Sequence, residues 1–301
     1  MSQMTTRPPG RQRREHGGSH FWPVLVLMTL AQSALAQTYT AFDCPEASET
    51  AARGINDRGD IVGVCEDVNG RHGFLLRKGV FTLIDAPDAA VLTLATGINN
   101  RGDVVGHYLD NEDVGHGFLL RHGHFTTIDV PGSPHTFPLG IDERGRIVGF
   151  YLGSDEVFRG FLLDSRGFQD IEFPGAAATG AWGMKARTQI VGGYIDTSGL
   201  PHGFVLKKGT FSSIDLPGAV GTRAFGIDTR GHIVGGWSAD PECPDCFVNA
   251  FLLTPRGFTN LAFPDALETV AWGINNVGQI VGHFLDEDEV FHGFLREPKD
   301  Q

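Results

Sequence analysis

The chain has 301 residues, with 24 Lys and Arg against 36 Asp and Glu, a formal charge of −12, and many Gly (41) and Phe (22). An acidic balance of this kind excludes nucleic acid and anionic membranes as partners, since both need a basic footprint. The length admits either two average domains or one large all-β domain.

The first 36 residues read as a unit of their own. Arg7, Arg11, Arg13 and Arg14 precede an apolar run from Pro23 to Leu30, and Ala34-Leu35-Ala36 supplies a small-x-small cleavage site. This is the pattern of a secretory signal peptide cleaved after Ala36, and its apolar run is too short to span a bilayer. A secreted or periplasmic protein without membrane insertion is therefore expected. The leader holds four Arg and one Glu, so residues 37–301 carry a charge of −15.

From residue 37 onward one unit recurs. Its clearest copy runs from Ala95 to Phe137. A Gly-Ile-(Asn/Asp) signature stands at Gly54, Gly97, Gly140, Gly183, Gly226 and Gly273, spaced by 43 residues except for a last interval of 47. The fourth copy reads Gly183-Met184-Lys185. An apolar-Val-Gly signature follows at Gly63, Gly106, Gly149, Gly192, Gly235 and Gly282, then a Gly/Ala-Phe pair at Phe74, Phe118, Phe161, Phe204, Phe251 and Phe294. Repeats thus start near residues 52, 95, 138, 181, 224 and 271, a period that belongs to arrays such as propellers. The longer interval reflects an insertion around Pro241-Glu-Cys-Pro-Asp-Cys246.

Each copy holds four short β-type runs bounded by Gly and Pro, with no helical period. In the second copy Gly-Ile-Asn enters the turn Asn99-Asn100-Arg101-Gly102, and Asp103–Tyr108 returns from it. Gly117–Arg121 is the third run and His124–Asp129 the fourth. Phe125 and Ile128 lie an odd number apart and so point to opposite faces, as a blade packed between two neighbours requires. The sixth copy stops after Phe294-Leu-Arg296 without its fourth run, while Tyr39-Thr-Ala-Phe42-Asp43-Cys-Pro45 matches one. The predicted fold is therefore an all-β, six-bladed β-propeller of four-stranded blades, with the N-terminal strand completing blade six. Closure leaves only short, protected edges.

These motifs, His116-Gly-Phe-Leu, Gly-x-Phe-x-x-Ile-Asp and Gly-Ile-Asn-x-x-Gly-x-Val-Val-Gly, resemble the HAF-repeat family of bacterial extracellular proteins. The likeness covers residues 37–301, with Gly replacing the middle Ala of the naming tripeptide in five copies. It implies an exported repeat protein and brings no catalytic residues with it.

Six copies in one chain separate positions that serve every blade from positions free to serve one site. His72, His116, His202 and His292 recur at the head of the third run, with Arg159 and Asn249 substituting, which points to a bond between each blade and a neighbouring loop rather than to a metal ring. Asp43, Asp85, Asp129 and Asp215 recur as expected turn caps. By contrast, the residue before Gly-Ile-Asn varies: Arg53, Thr96, Leu139, Trp182, Phe225, Trp272. If Gly-Ile-Asn opens the innermost strand, these six ring one mouth of the channel. Their three aromatics then either stack on a sugar or other planar ligand, or plug the channel as core.

The loops between second and third runs are acidic, with Glu66-Asp67, Asp110, Glu112-Asp113, Asp155-Glu156 and Asp286–Glu289, and are expected on the same face. Calcium is the one cofactor they admit, with Asp286 and Asp288 as candidate ligands, although no EF-hand loop is present. Four cysteines in an exported chain predict two disulfides: Cys44–Cys65, joining the closing strand to blade one, and Cys243–Cys246. No linear catalytic motif occurs. The sequence thus predicts a monomeric, non-catalytic scaffold that binds a glycan or protein through one face. The alternative is a propeller hydrolase or lyase acting on glycans or lactones, with acidic loop residues as general acid and base.

Overall fold

In the computed structural model, residues 38–185 and 189–298 are described; the expected leader lies outside them. Blade one comprises β2 (Glu49–Ile55), β3 (Ile61–Asp67), β4 (Gly70–Arg77) and β5 (Val80–Ile84), an antiparallel meander with β2 innermost. The unit repeats as β6–β9 (residues 92–128), β10–β13 (135–171), β14–β17 (178–214) and β18–β21 (221–261). Blade six has three strands of its own, β22 (Glu268–Ile274), β23 (Ile280–Leu285) and β24 (Phe291–Arg296). Its fourth strand is β1 (Tyr39–Phe42), which pairs antiparallel with β24 from Tyr39↔Arg296 to Phe42↔Gly293. The fold is a six-bladed β-propeller closed by its N-terminal strand.

The core is not one mass but six clusters among the described residues, each between two neighbouring blades. The cluster of blades one and two joins Val62 and Ile84 to Ala95, Ile98 and Phe118, with Phe125 packed against it. Ile128, from the same strand as Phe125, belongs to the next cluster, with Phe161. The two-faced strand expected from their odd spacing is what lets each blade contribute to two interfaces. The Phe of every Gly/Ala-Phe pair is at most 1% exposed.

The Gly-Ile-Asn signature has a reason at each of its positions. In all six blades the inner pairing shifts register between the residue before the varying position and the glycine after it, as between Ala52 and Gly54. The varying residue is therefore the extra residue of a β-bulge, which bends the strand and re-aims that side chain. Glycine follows because the inner strands nearly touch at the axis. A Cβ on Gly140 would lie 2.7 Å from the Trp182 carbonyl, and one on Gly97 2.7 Å from that of Leu139. The Asn then caps its own turn and reaches the next blade: Asn56 Nδ2 donates to the Asn99 carbonyl at 3.1 Å, and Asn99 Nδ2 to that of Asp142. Asn275 Nδ2 donates to the Asn56 carbonyl at 3.0 Å and so joins blade six to blade one. This end of the ring is the turn face; the β3–β4 type loops emerge at the opposite end, the loop face.

Both predicted disulfides are formed, Cys44–Cys65 and Cys243–Cys246. Cys44 follows β1 of blade six and Cys65 lies on β3 of blade one, so their bridge crosses the closure.

The recurring histidines do more than bond to a neighbouring loop. Each holds two carboxylates. His116 Nδ1 lies 3.0 Å from Asp129 and its Nε2 3.2 Å from Asp110; His202 lies between Asp215 and Asp196, and His292 between Asp43 and Asp286. His72 bonds Asp85 at 2.7 Å and faces Asp67 at 3.4 Å. Arg159 keeps the bridge in blade three, from Asp155 to Glu172. Asp43, Asp85, Asp129 and Asp215 are thus histidine partners rather than turn caps. The backbone N–H after each is taken instead by a threonine, as Val130 N–H by Thr136 Oγ1 at 3.0 Å.

For His72 the hydrogen bond to Asp85 leads in raising its pKa above the ordinary 6.5. For His116, His202 and His292 burial pulls downward, but bonds to both carboxylates outweigh it and the net shift is upward. A folded-state pKa raised in this way contributes stability that is full below about 6.5 and is lost as pH rises through the raised value. The melting temperature is therefore expected to fall as pH rises above about 6.5, and substituting all four histidines by Gln should flatten that slope. Calorimetry over that range decides the matter; an unchanged slope would mean that the clamps carry no charge linkage.

Candidate functional site

The six varying residues do converge on the axis, but not at a rim. They form a layer across the channel, with a cavity of about 170 Å³ above them that also touches Leu94 and His107, and a shallower one below among the Gly-Ile backbones. The position is part-way along the inner strand, because the bulge sits between the strand's loop-face end and its turn. Thr96 spends its hydroxyl on the Pro138 carbonyl at 2.8 Å.

Of the two alternatives, stacking surface or core, the packing around Trp272 fits the core. Phe225 stacks on it at 4.2 Å and Arg53 packs over it at 4.0 Å; these are its equivalents in the two neighbouring blades. Its Nε1 donates to His283 Nδ1 at 3.0 Å. Trp182 differs. It meets Phe225 edge-on at 6.0 Å and turns toward an off-axis cavity of about 250 Å³ on the loop face. Phe150, Phe158, Tyr194 and Arg223 complete the wall, and most of the exposed lining is apolar.

That cavity exists because blade four lacks two side chains. A Cβ on Gly180 would lie 2.8 Å from the Trp182 ring, and one on Gly193 3.0 Å from Arg223 Cγ. In blade three the same two positions are Phe137 and Phe150, whose rings lie 5.0 Å apart and fill the space. In blade two they are Leu94 and His107, with His107 packed on Phe137. In blade five the position is closed by the insertion, which lays Phe247 against Gly236. The insertion also places Asp245 3.0 Å from Arg223, whose guanidinium lies 5.4 Å over Trp182. The Cys243–Cys246 bridge thereby holds a residue that positions one wall of the cavity in the next blade. Burial lowers the Arg223 pKa, partly offset by Asp245.

The acidic loops lie at the loop face, whereas the six varying residues expected beside them at one mouth lie part-way down the channel. The leading Asp of each loop, Asp67, Asp110, Asp155 and Asp286, is committed locally. Asp286 accepts the N–H groups of Asp288 and Val290 and faces His292 Nε2 at 3.0 Å, while Asp288 contributes its backbone to that turn. Among the described residues, no group of three or more His, Cys, Asp or Glu is placed to hold a metal. Asp67, Asp110 and Asp286 are each held below the ordinary carboxylate range, first by backbone N–H donors, and Asp155 and Asp196 first by side-chain bonds from Arg159 and Ser198.

No protein-family model and no curated protein matches the chain. Among solved structures it is similar to the SapL1 lectin in complex with alpha methyl fucoside (11% identity, 83% of this chain and 94% of that one, TM-score 0.56). It is also similar to the fucose-specific lectin of Aleuria aurantia (10%, 87% and 100%, TM-score 0.53) and to AofleA of Arthrobotrys oligospora (12%, 87% and 84%, TM-score 0.51). A further structure of the Aleuria aurantia lectin is described as a six-bladed β-propeller. At these identities the likeness is one of fold, and it matches the blade count found here.

Proposed function

We propose that this protein is an exported, non-catalytic propeller that binds carbohydrate on its loop face, in the cavity of Trp182. The observation that carries the reading is the lining itself: four aromatic side chains and one guanidinium around a space of about 250 Å³. A sugar ring presents apolar C–H faces that pack on aromatic rings and hydroxyls that accept from a fixed, forked donor such as Arg223. Two propellers of similar fold, one named a lectin with bound fucoside and one a fucose-specific lectin, add support. The signal-like leader and the HAF-repeat resemblance support export, and a monomer fits a ring closed within one chain.

Binding is favoured over hydrolysis by the state of the acidic loops. A general acid needs a carboxyl whose pKa is raised, whereas Asp67, Asp110, Asp155, Asp196 and Asp286 are all lowered.

In a glycan-array screen of the purified protein, Trp182→Ala is expected to weaken binding of the captured glycan about tenfold, at an unchanged circular dichroism spectrum. Trp272→Ala should instead lower the melting temperature, since its ring supports Arg53 and Phe225. Capture of a glycan that is indifferent to Trp182 would move the site elsewhere; no capture at all would sink the carbohydrate reading.

A further inference from the structure

The Trp182 cavity has a counterpart three blades away, on the opposite side of the ring. It encloses about 220 Å³ and uses the same repeat positions with different residues: Arg53 for Trp182, Leu94 for Arg223, His283 for Phe150 and Phe291 for Phe158. The positions held by Gly180 and Gly193 in the first cavity are Ala51 and Val64 here; both line the cavity and both are smaller than the Phe137 and Phe150 of blade three. Glu49 and Glu66 replace Ala178 and Ile195 at its edge.

Its distinguishing feature is an unanswered charge. The Arg53 Nε is enclosed and makes no hydrogen bond among the described residues, and none of their carboxylates lies within ion-pair distance of its guanidinium. Burial first, and then the neighbouring cation Arg71, lower its pKa to about 10; Arg71 is itself paired with Glu66 at 2.7 Å. His107 and His283 nearby are held neutral, at about 4 and about 3, by burial and then by Arg53. Even so lowered, Arg53 stays protonated at neutral pH. Packing on Trp272 offsets part of its desolvation, but a cation–π contact does not replace a counter-ion.

We infer that the blade-one cavity is a second sugar site, specific for an acidic sugar, in which Arg53 receives the carboxylate. The inference rests on the carbohydrate reading of the loop face. A guanidinium matches a carboxylate bidentately, and charge-assisted pairs of this geometry are the strong ones. Glu49 and Glu66 at the edge offer acceptors for the sugar hydroxyls, and Phe291 an apolar wall. The protein then carries two chemically distinct sites, neutral and acidic, on opposite sides of one ring.

Isothermal titration of the purified protein with glucuronate, galacturonate and N-acetylneuraminate, beside glucose and the methyl ester of glucuronate, tests this. At least one acid is expected to bind, with Arg53→Leu weakening it about 30-fold or more and Arg53→Lys less, and with Trp182→Ala leaving it unchanged. The methyl ester, tried on the wild-type protein, should bind far more weakly; this arm holds even if Arg53→Leu misfolds. Acid binding that the ester reproduces, or that depends on Trp182 and not on Arg53, overturns the inference and leaves the carbohydrate reading standing. Failure of every sugar, neutral and acidic, overturns both.

Discussion

Phe118→Ala should lower the unfolding free energy by about 3–5 kcal/mol, the range for emptying a buried aromatic site. The residue is 1% exposed, and its ring lies beneath Gly106, where a Cβ would stand 2.7 Å from it. It meets Phe125 edge-on at 5.3 Å and joins the cluster between blades one and two. The site cannot collapse readily, because strands one and two of the same blade are fixed on both sides by their neighbours. Against a typical total of about 5–15 kcal/mol, one such loss leaves the ring marginal. Urea unfolding followed by circular dichroism measures it: the midpoint should drop with an unchanged slope. A cost below about 1 kcal/mol would show that the Phe column is loosely packed. The equivalent change at Phe161 or Phe204 should cost a similar amount, since the six environments repeat.

Removing the Cys44–Cys65 bridge by a double Ala substitution is expected to cost about 3 kcal/mol, from the chain entropy it restores to the unfolded state across a separation of 21 residues. The location adds a second consequence. β1 has only four residues, and beyond its ladder it is held to the ring by this bridge, by the His292–Asp43 pair of 2.9 Å, by Cys44 N–H to Thr50 and by the Glu297 N–H to Thr38 carbonyl bond of 3.0 Å. If β1 detaches, β24 becomes an open edge and Phe294 loses Tyr39, which it meets at 5.7 Å. Exposed edges pair with other chains. The double variant should therefore show concentration-dependent light scattering at temperatures where the parent stays monodisperse. Unfolding at the parent's midpoint, with no scattering, would mean that the ladder alone secures the closure. The Cys243–Cys246 bridge spans a separation of only 3 and should matter little for global stability. Its loss should loosen Asp245 and hence Arg223, weakening the proposed sugar binding instead.

The architecture was legible because each rule of the blade is local and appears six times. The Gly at the axis, the Asn that caps the turn and the Phe that fills the interface are required in every copy, so period and offset together give blade number and closure. The disulfides followed as well, since Cys65 interrupts a column that is otherwise Tyr108, Tyr151, Tyr194, Trp237 and Phe284. The site was only half legible. Comparing the residue before Gly-Ile-Asn selected the axial layer, yet that column says nothing about which side chains consume one another. Trp272 and Trp182 are equivalent in sequence; only Phe225 and Arg53 packed on the first make it structural. The signal for the cavities lay in two other columns, where blade four has Gly180 and Gly193 and blade one has Ala51 and Val64 against Phe137 and Phe150 in blade three. Their meaning depends on the two columns being cross-strand partners within one blade, as Gly180↔Gly193, Ala51↔Val64 and Phe137↔Phe150 are.

Sequence by itself determined the number of blades and the displaced closing strand, because repetition makes each a local pattern read many times over. Tertiary structure alone decided which positions are open, which aromatic faces are spent, and that Arg53 lacks a counter-charge. Those are properties of neighbours some 43 residues apart or more, brought together by the closure of the ring.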